Sequence, residues 1–190
     1  ALREALRRLS ARGLITIQKG SGMYVTEINI QDAIDSLNLY YDLKFDKNLL
    51  EQIIEVRSIF EPEIARLAAL NRTQKDLDKL SRHLKDFEKC DPDNTQREAD
   101  LDNRFHLAIA KATQNPIVQI TMEPIYTLLP RMRYYIYGNI EGEKAHTLKF
   151  HQELLDAIRN QDISSAQQTM KAHLDRTREI YMNHMNPDNF

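Results

Sequence analysis

The sequence predicts a mainly α protein in which a short helix and a β-hairpin precede an antiparallel all-helical bundle. Three observations predict it. Beyond residue 28, apolar side chains recur at steps of three and four, and no stretch reads convincingly as a strand. Ahead of that point, β-branched residues flank Lys19-Gly20-Ser21-Gly22, the pattern of two short strands joined by a glycine-rich tip. Short turns such as CDPDN, Asn115-Pro116 and Asn160-Gln161-Asp162 part the periodic segments, as in antiparallel bundles.

At 190 residues the chain has room for one medium domain and a small second one. We divide it into a first unit at 1–28, a connecting helix or linker at 29–46 and a helical domain at 47–190. In the first unit, Ala1 to Arg12 sets Leu2, Ala5, Leu6 and Leu9 on one face and arginines on the other, and Gly13 ends the helix. A basic helix leading directly into a glycine-tipped hairpin reads as the recognition helix and wing of a partial winged helix-turn-helix. An amphipathic helix beside an unrelated hairpin accounts for the same residues equally well.

The connecting segment carries Ile30, Ala33, Ile34 and Leu37 at helical spacing. From Lys47 a longer helix places Leu50, Ile53, Arg57, Phe60, Ile64 and Leu67 on one stripe, with a kink expected at Pro62. The next helix, after Asn71, carries Leu77, Leu80, Leu84 and Phe87. Beyond CDPDN, a helix aligns Ala99, Asp102, His106, Ile109 and Thr113, and Asn115-Pro116 ends it. Ile117 to Tyr137 is again helical, broken by Pro124 and Pro130, and closes on the cluster RMRYYIYG. Two helices follow, one facing inward with His151, Leu154, Leu155 and Ile158, the other with Ala166, Met170, His173, Thr177 and Ile180.

Charge is uneven along the chain. Residues 1–28 carry a net +3, which leaves −5 for the rest of the total of −2, so the amino end is the part suited to a polyanion. The single cysteine, Cys90, has no partner for a disulfide, which fits a reducing compartment and a cytoplasmic setting. No apolar run reaches the length of a membrane span.

Asp102, His106, His151 and His173 thus fall on inward faces of three helices. Buried carboxylates and imidazoles are costly unless they satisfy one another or hold an ion. Three neutral imidazole nitrogens and a carboxylate oxygen suit zinc first, and also nickel, iron or manganese, with one or two positions left for a small carboxylate. Each residue alone has a plainer reading, the Asp102–His106 pair as a local hydrogen bond and the others as satisfied core histidines. His83, His146 and His184 lie off the inner stripes or at a frayed end. Arg57, in an apolar stripe, needs an anion: Glu61 one turn on, or the carboxylate of a ligand. Arg131 and Arg133, with Tyr134, Tyr135 and Tyr137, either close the same pocket or form a solvated or subunit-contact face. No further Glu or Asp on these faces has a spacing that demands the role of general base.

The stretch LREALRRLSARGLITIQKGSGMYV resembles the end of the DNA-binding domain in the GntR family of bacterial transcription regulators. The resemblance implies DNA contacts by Arg3 and Arg7 from the recognition helix and by Lys19 and Gly20 at the wing tip. It also implies two preceding helices, so the sequence, which starts inside the third without an initiator methionine, reads as a fragment that would not bind an operator by itself. From Leu49 onward, EVRSIFEPEIARLAA, DLDNRFHLAIAKATQNP, FHQELLDAIRNQD and AHL occur in an order similar to the FCD effector domain of the FadR-type branch. That likeness implies metal binding by Asp102, His106, His151 and His173, and an effector cavity faced by Arg57.

Together these readings give a ligand-responsive regulator, most often a repressor in this family, that dimerises on operator DNA and answers to a metal-bound organic acid. A metal-dependent enzyme acting on a small carboxylate competes with it, since the same donor set can activate water. A purely structural metal is the third reading.

Overall fold

Gly13 closes the first helix, α1 (Leu2–Ala11), by taking the left-handed φ of +70° that lets the chain reverse; Leu14 N then donates to Leu9 O at 3.0 Å. In this computed structural model, which describes residues 1–26, 30–44 and 46–184, the reversal leads into an antiparallel hairpin. Strands β1 (Ile15–Gln18) and β2 (Gly22–Val25) run from Ile15 opposite Val25 to Gln18 opposite Gly22. Lys19, Gly20 and Ser21 make the tip, where Gly20 at φ +82° supplies the turn. No residue of α1 is buried, and Leu2, Ile17, Met23 and Val25 stand between 50% and 89% exposed.

The remaining helices are α2 (Ile30–Leu43), α3 (Lys47–Asn71), α4 (Gln74–Glu88), α5 (Thr95–Ala112), α6 (Pro116–Asn139), α7 (Glu143–Arg159) and α8 (Ile163–His184). Side chains fix where several begin. Asp46 caps α3 at Leu49 N, Thr73 and Asp76 form a reciprocal capping box on α4, and Asn94 caps α5 at Arg97 N. Helix α5 packs against α3, α4 and α6, while α8 packs on α3 and α7, so α3, α5, α7 and α8 enclose one interior. That interior is lined by Leu50, Ala65, Leu80, Phe105, Leu129 and Leu154, all fully buried.

Four expectations change. Helix α6 runs unbroken through Pro124 and Pro130. A proline inside a helix costs about 3 kcal/mol. Met122, Leu128, Leu129 and Met132, none more than 3% exposed, each return about 1.5–3 kcal/mol by burial, so packing holds the helix together. Asn115-Pro116 starts α6 more than it ends α5: Pro116 is the first helical residue, and Asn115 Oδ1 accepts from Ile117 N at 3.0 Å. Phe60 is 48% exposed because the inner stripe of α3 continues from Arg57 through Glu61 to Ile64 and Ala65. Leu37 of α2 is likewise 44% exposed, and the side chains of Ile30 and Ala33 lie outside the described residues.

Candidate functional site

Helix α5 carries Asp102 and His106 one turn apart, α7 brings His151 and α8 brings His173, and all four side chains are buried. Four ligand-type atoms, one from each residue, lie within 4.8 Å of one another. Asp102 Oδ1 stands 3.4 Å from His106 Nε2 and 3.3 Å from His151 Nε2, and His106 Nε2 stands 3.3 Å from His173 Nε2. Ligands held about 2.1 Å from a single ion sit roughly 3.0–3.4 Å apart at right-angle or tetrahedral positions, which matches these separations. Asp102 Oδ1 and both nitrogens of His151 have no hydrogen-bond partner among the described residues. Buried polar atoms are rarely left so, and a cation at the meeting point would satisfy Asp102 Oδ1 and His151 Nε2 together, though not the far nitrogen Nδ1. The donor set fits a divalent metal.

The surroundings hold the donors in place. Phe105 stacks on His151 with ring centroids 4.1 Å apart, and Phe150 tilts against His173 at 5.4 Å. Asp102 turns its other oxygen, Oδ2, to Arg133 Nε at 2.7 Å and receives the Tyr137 hydroxyl at 2.9 Å. Burial pushes the Asp102 carboxyl up, but Arg133 and then His106 outweigh it and hold the group well below the usual carboxylate range. Burial, reinforced by neighbouring His106, takes the His173 imidazole down to about 3; burial also takes His151 well below its usual value. Neutral imidazoles are the form that binds metal.

Arg57 is present but already engaged. Its Nε donates to Glu61 Oε1 at 2.5 Å, and Glu61 Oε2 meets His106 Nδ1 at 2.8 Å. Of the two partners the sequence offered Arg57, Glu61 is the one it meets, and Glu61 is fully buried beside the cluster, where it also reaches His106. Held low by Arg57 and then His106 against the upward push of burial, Glu61 is locked as an acceptor rather than free as a base. Part of its signal was in the spacing, since 57, 61 and 64 follow one another at steps of four and three on one helix face.

A small cleft of about 20 Å³ adjoins the cluster, lined in part by Arg57, Asp102, Arg133, Thr147, His173 and Thr177. It has room for about one water molecule. Arg133 Nη1 donates to Asn103 Oδ1 at 2.9 Å, while Nη2 is buried with no hydrogen-bond partner among the described residues. The side chain of Arg131 lies outside the described residues. Arg3 and Arg7 are exposed on α1, and Lys19 and Gly20 are exposed at the hairpin tip, so these four belong to a different surface from the cluster. His146 and His184 are exposed and His83 is partly buried, all three outside the donor set.

Comparison with known proteins bears on the family and the fold. The FCD domain matches residues 52–176. The HTH-type transcriptional regulator LutR of Bacillus subtilis is 30% identical over 184 residues, covering 95% of this chain and 83% of that protein. The galactonate operon transcriptional repressor of Escherichia coli is 32% identical over 171 residues, covering 88% and 73%. A solved structure titled Streptococcus agalactiae GntR superposes with a TM-score of 0.69 at 26% identity, covering 93% of this chain and 80% of that one. These relatives are named as regulators of transcription, which removes the enzyme reading. With the domain match spanning most of the chain and these two relatives covering 95% and 88% of it, the chain belongs to the FCD-domain, FadR-type branch of the GntR family of transcriptional regulators.

Proposed function

We propose that this regulator is a ligand-responsive repressor whose helical domain, residues 47–190, binds a divalent metal, zinc first, and a small organic-acid effector. In this reading residues 1–28 belong to the DNA-binding domain, with Arg3, Arg7, Lys19 and Gly20 facing operator DNA, and 29–46 connect the two. Two copies form a homodimer on a near-palindromic operator in the cytoplasm.

One observation carries the effector reading: two of the four metal-type donors, Asp102 and His173, line a cleft with two buried guanidinium groups, and one of these, on Arg133, has an N–H unspent. The charges of Arg57 and Arg133 are already offset by Glu61 and Asp102. A divalent ion held by Asp102, His106, His151 and His173 supplies further positive charge there, which favours an anionic ligand. A carboxylate meets the Arg133 fork and the remaining N–H groups of Arg57. Because the cleft admits about one water, the acid enters only as side chains or helices α6 and α8 give way. Such a displacement is what a signal to the DNA-binding unit needs, since the ligand must bind one arrangement better than another. One relative is named for the galactonate operon, and galactonate is a hydroxy acid, so small hydroxy acids are the class to test first.

Elemental analysis of protein purified without added metal tests the site, alongside His106→Ala, His151→Ala and His173→Ala. We expect about one ion per chain in the wild type and loss in each variant. Thermal-shift titration with hydroxy acids, repeated on Arg133→Lys, tests the effector. The planar fork gone, affinity should fall about tenfold or more. Wild type that stays metal-free after reconstitution, or a hydroxy-acid response that ignores Arg133, would remove the corresponding half of the proposal.

A further inference from the structure

Glu61 Oε2 lies 2.8 Å from His106 Nδ1, the ring nitrogen facing away from the donor cluster, and Glu61 Oε1 is held by Arg57 Nε at 2.5 Å. All three side chains are buried, so no solvent competes for these contacts. A carboxylate paired with a guanidinium has only acceptors to offer. The hydrogen between Glu61 and His106 therefore sits on Nδ1, and in the neutral ring that metal binding requires, Nε2 keeps its lone pair. That lone pair points where Asp102 Oδ1, at 3.4 Å, and His173 Nε2, at 3.3 Å, converge. His151 presents a contrast: both of its ring nitrogens lack a hydrogen-bond partner among the described residues, and stacking on Phe105 positions its ring.

We propose that Glu61 is a positioning residue that fixes His106 as the Nδ1–H tautomer, making Nε2 the donor atom, and that Arg57 serves the site by pinning Glu61. The inference rests on the metal reading above and deepens it. An imidazole whose far N–H is held by a carboxylate is oriented and made a better donor, and losing such a partner lowers metal affinity about 10–100-fold. It also assigns Arg57 a second duty. An anion that draws the guanidinium toward the cleft alters the hold on Glu61, and through it on His106, so metal and anion affinities become linked.

The test uses zinc alone as probe, titrated against a competing chelator, with the ring-nitrogen shifts of labelled histidine as an independent readout before metal is added. Two variants are needed. Glu61→Gln keeps an acceptor but loses the charge, leaving Arg57 unbalanced. The double variant Arg57→Met with Glu61→Leu removes the buried pair as a unit, a change that proteins commonly tolerate, and leaves His106 Nδ1 without its carboxylate. Thr73→Ala, at the far cap of α4, serves as a control that lowers stability without touching the cluster. We expect His106 to be wholly Nδ1–H in the wild type and the Nε2–H form to appear in the double variant. Zinc affinity should fall about 10–100-fold in both and stay unchanged in the control. Zinc affinity within twofold of wild type in both variants, or an unshifted tautomer in the double variant, overturns the role of Glu61 while leaving the metal site standing. Failure of the wild type itself to bind zinc overturns the metal reading instead.

Discussion

Two pairs of arginine and glutamate, each four residues apart on a helix, are treated in opposite ways by this chain. Glu4 and Arg8 meet at 3.3 Å on α1 with side chains 61% and 77% exposed. Arg57 and Glu61 meet at 2.5 Å on α3 with side chains 2% and 0% exposed. The chemistry is the same and the consequences are not. Water solvates the first pair whether or not it forms, so Arg8 can exchange its partner for a phosphate at little cost. The second pair has no alternative partner in solvent, so each charge is committed to the other and to His106. The amino-terminal unit keeps its charges available to an external polyanion, whereas the bundle spends them on holding an internal site.

Removing one partner from each pair is the most direct way to break this contrast. Glu61→Ala should destabilise the bundle by about 3–5 kcal/mol, because a buried Arg57 is left without its anion. Urea unfolding measures it, and a cost below about 1 kcal/mol would mean that water reaches the pair and the two regions differ only in degree. Leucine truncation repeats the comparison without charge. Leu80, fully buried on the inner face of α4, should cost about 2–5 kcal/mol on replacement by Ala. Leu2, 74% exposed, should cost less than about 0.5 kcal/mol.

The same division decides what was legible in the sequence. Asp102 and His106 were visible because one helical turn joins them, and the turns and periodicity placed His151 and His173 on inner faces. Their meeting at 3.3–3.4 Å is tertiary, and no local pattern gives it. Glu61 was seen only as a companion of Arg57, since a neighbour four residues on already explained it. Its second contact, to His106, is 45 residues away. Arg133 and Tyr137 could be read either as closing the pocket or as a solvated face, and spacing did not choose between them; both turn inward onto Asp102 Oδ2. The α1 helix and hairpin, by contrast, were read almost residue for residue, because glycine conformations and strand pairing are local. Helix α6 went wrong for the complementary reason: proline is a local signal, and burial against α5 overrode it.

Metal sharpens the contrast next. Zinc at about a hundred times its dissociation constant should stabilise the wild-type bundle by about 2.7 kcal/mol, and a chelator should reverse it. His151→Ala should abolish that response, whereas Arg7→Ala, on exposed α1, should leave it intact. Equal responses in the two variants would place the ion outside the cluster. Smaller again is Thr73→Ala, which opens the capping box of α4 and should cost about 1 kcal/mol without changing the zinc response.

The smallest effect is the other half of the opening pair. Glu4→Ala should change stability by no more than about 0.5 kcal/mol, and 1 M salt, with a Debye length of about 3 Å, should erase even that. On DNA the sign reverses. Glu4 lies on the face that presents Arg8, so its removal frees one cation and takes away one charge that repels phosphate. Protein carrying Glu4→Ala should therefore bind DNA more tightly at low salt, with the gain vanishing as salt rises, while Arg7→Ala should reduce the salt slope by about one. If Glu4→Ala left DNA affinity unchanged at every salt concentration, α1 would be presenting a different face to the duplex. The exposed pair would then be a solvated surface feature, and only the buried pair would bear on function.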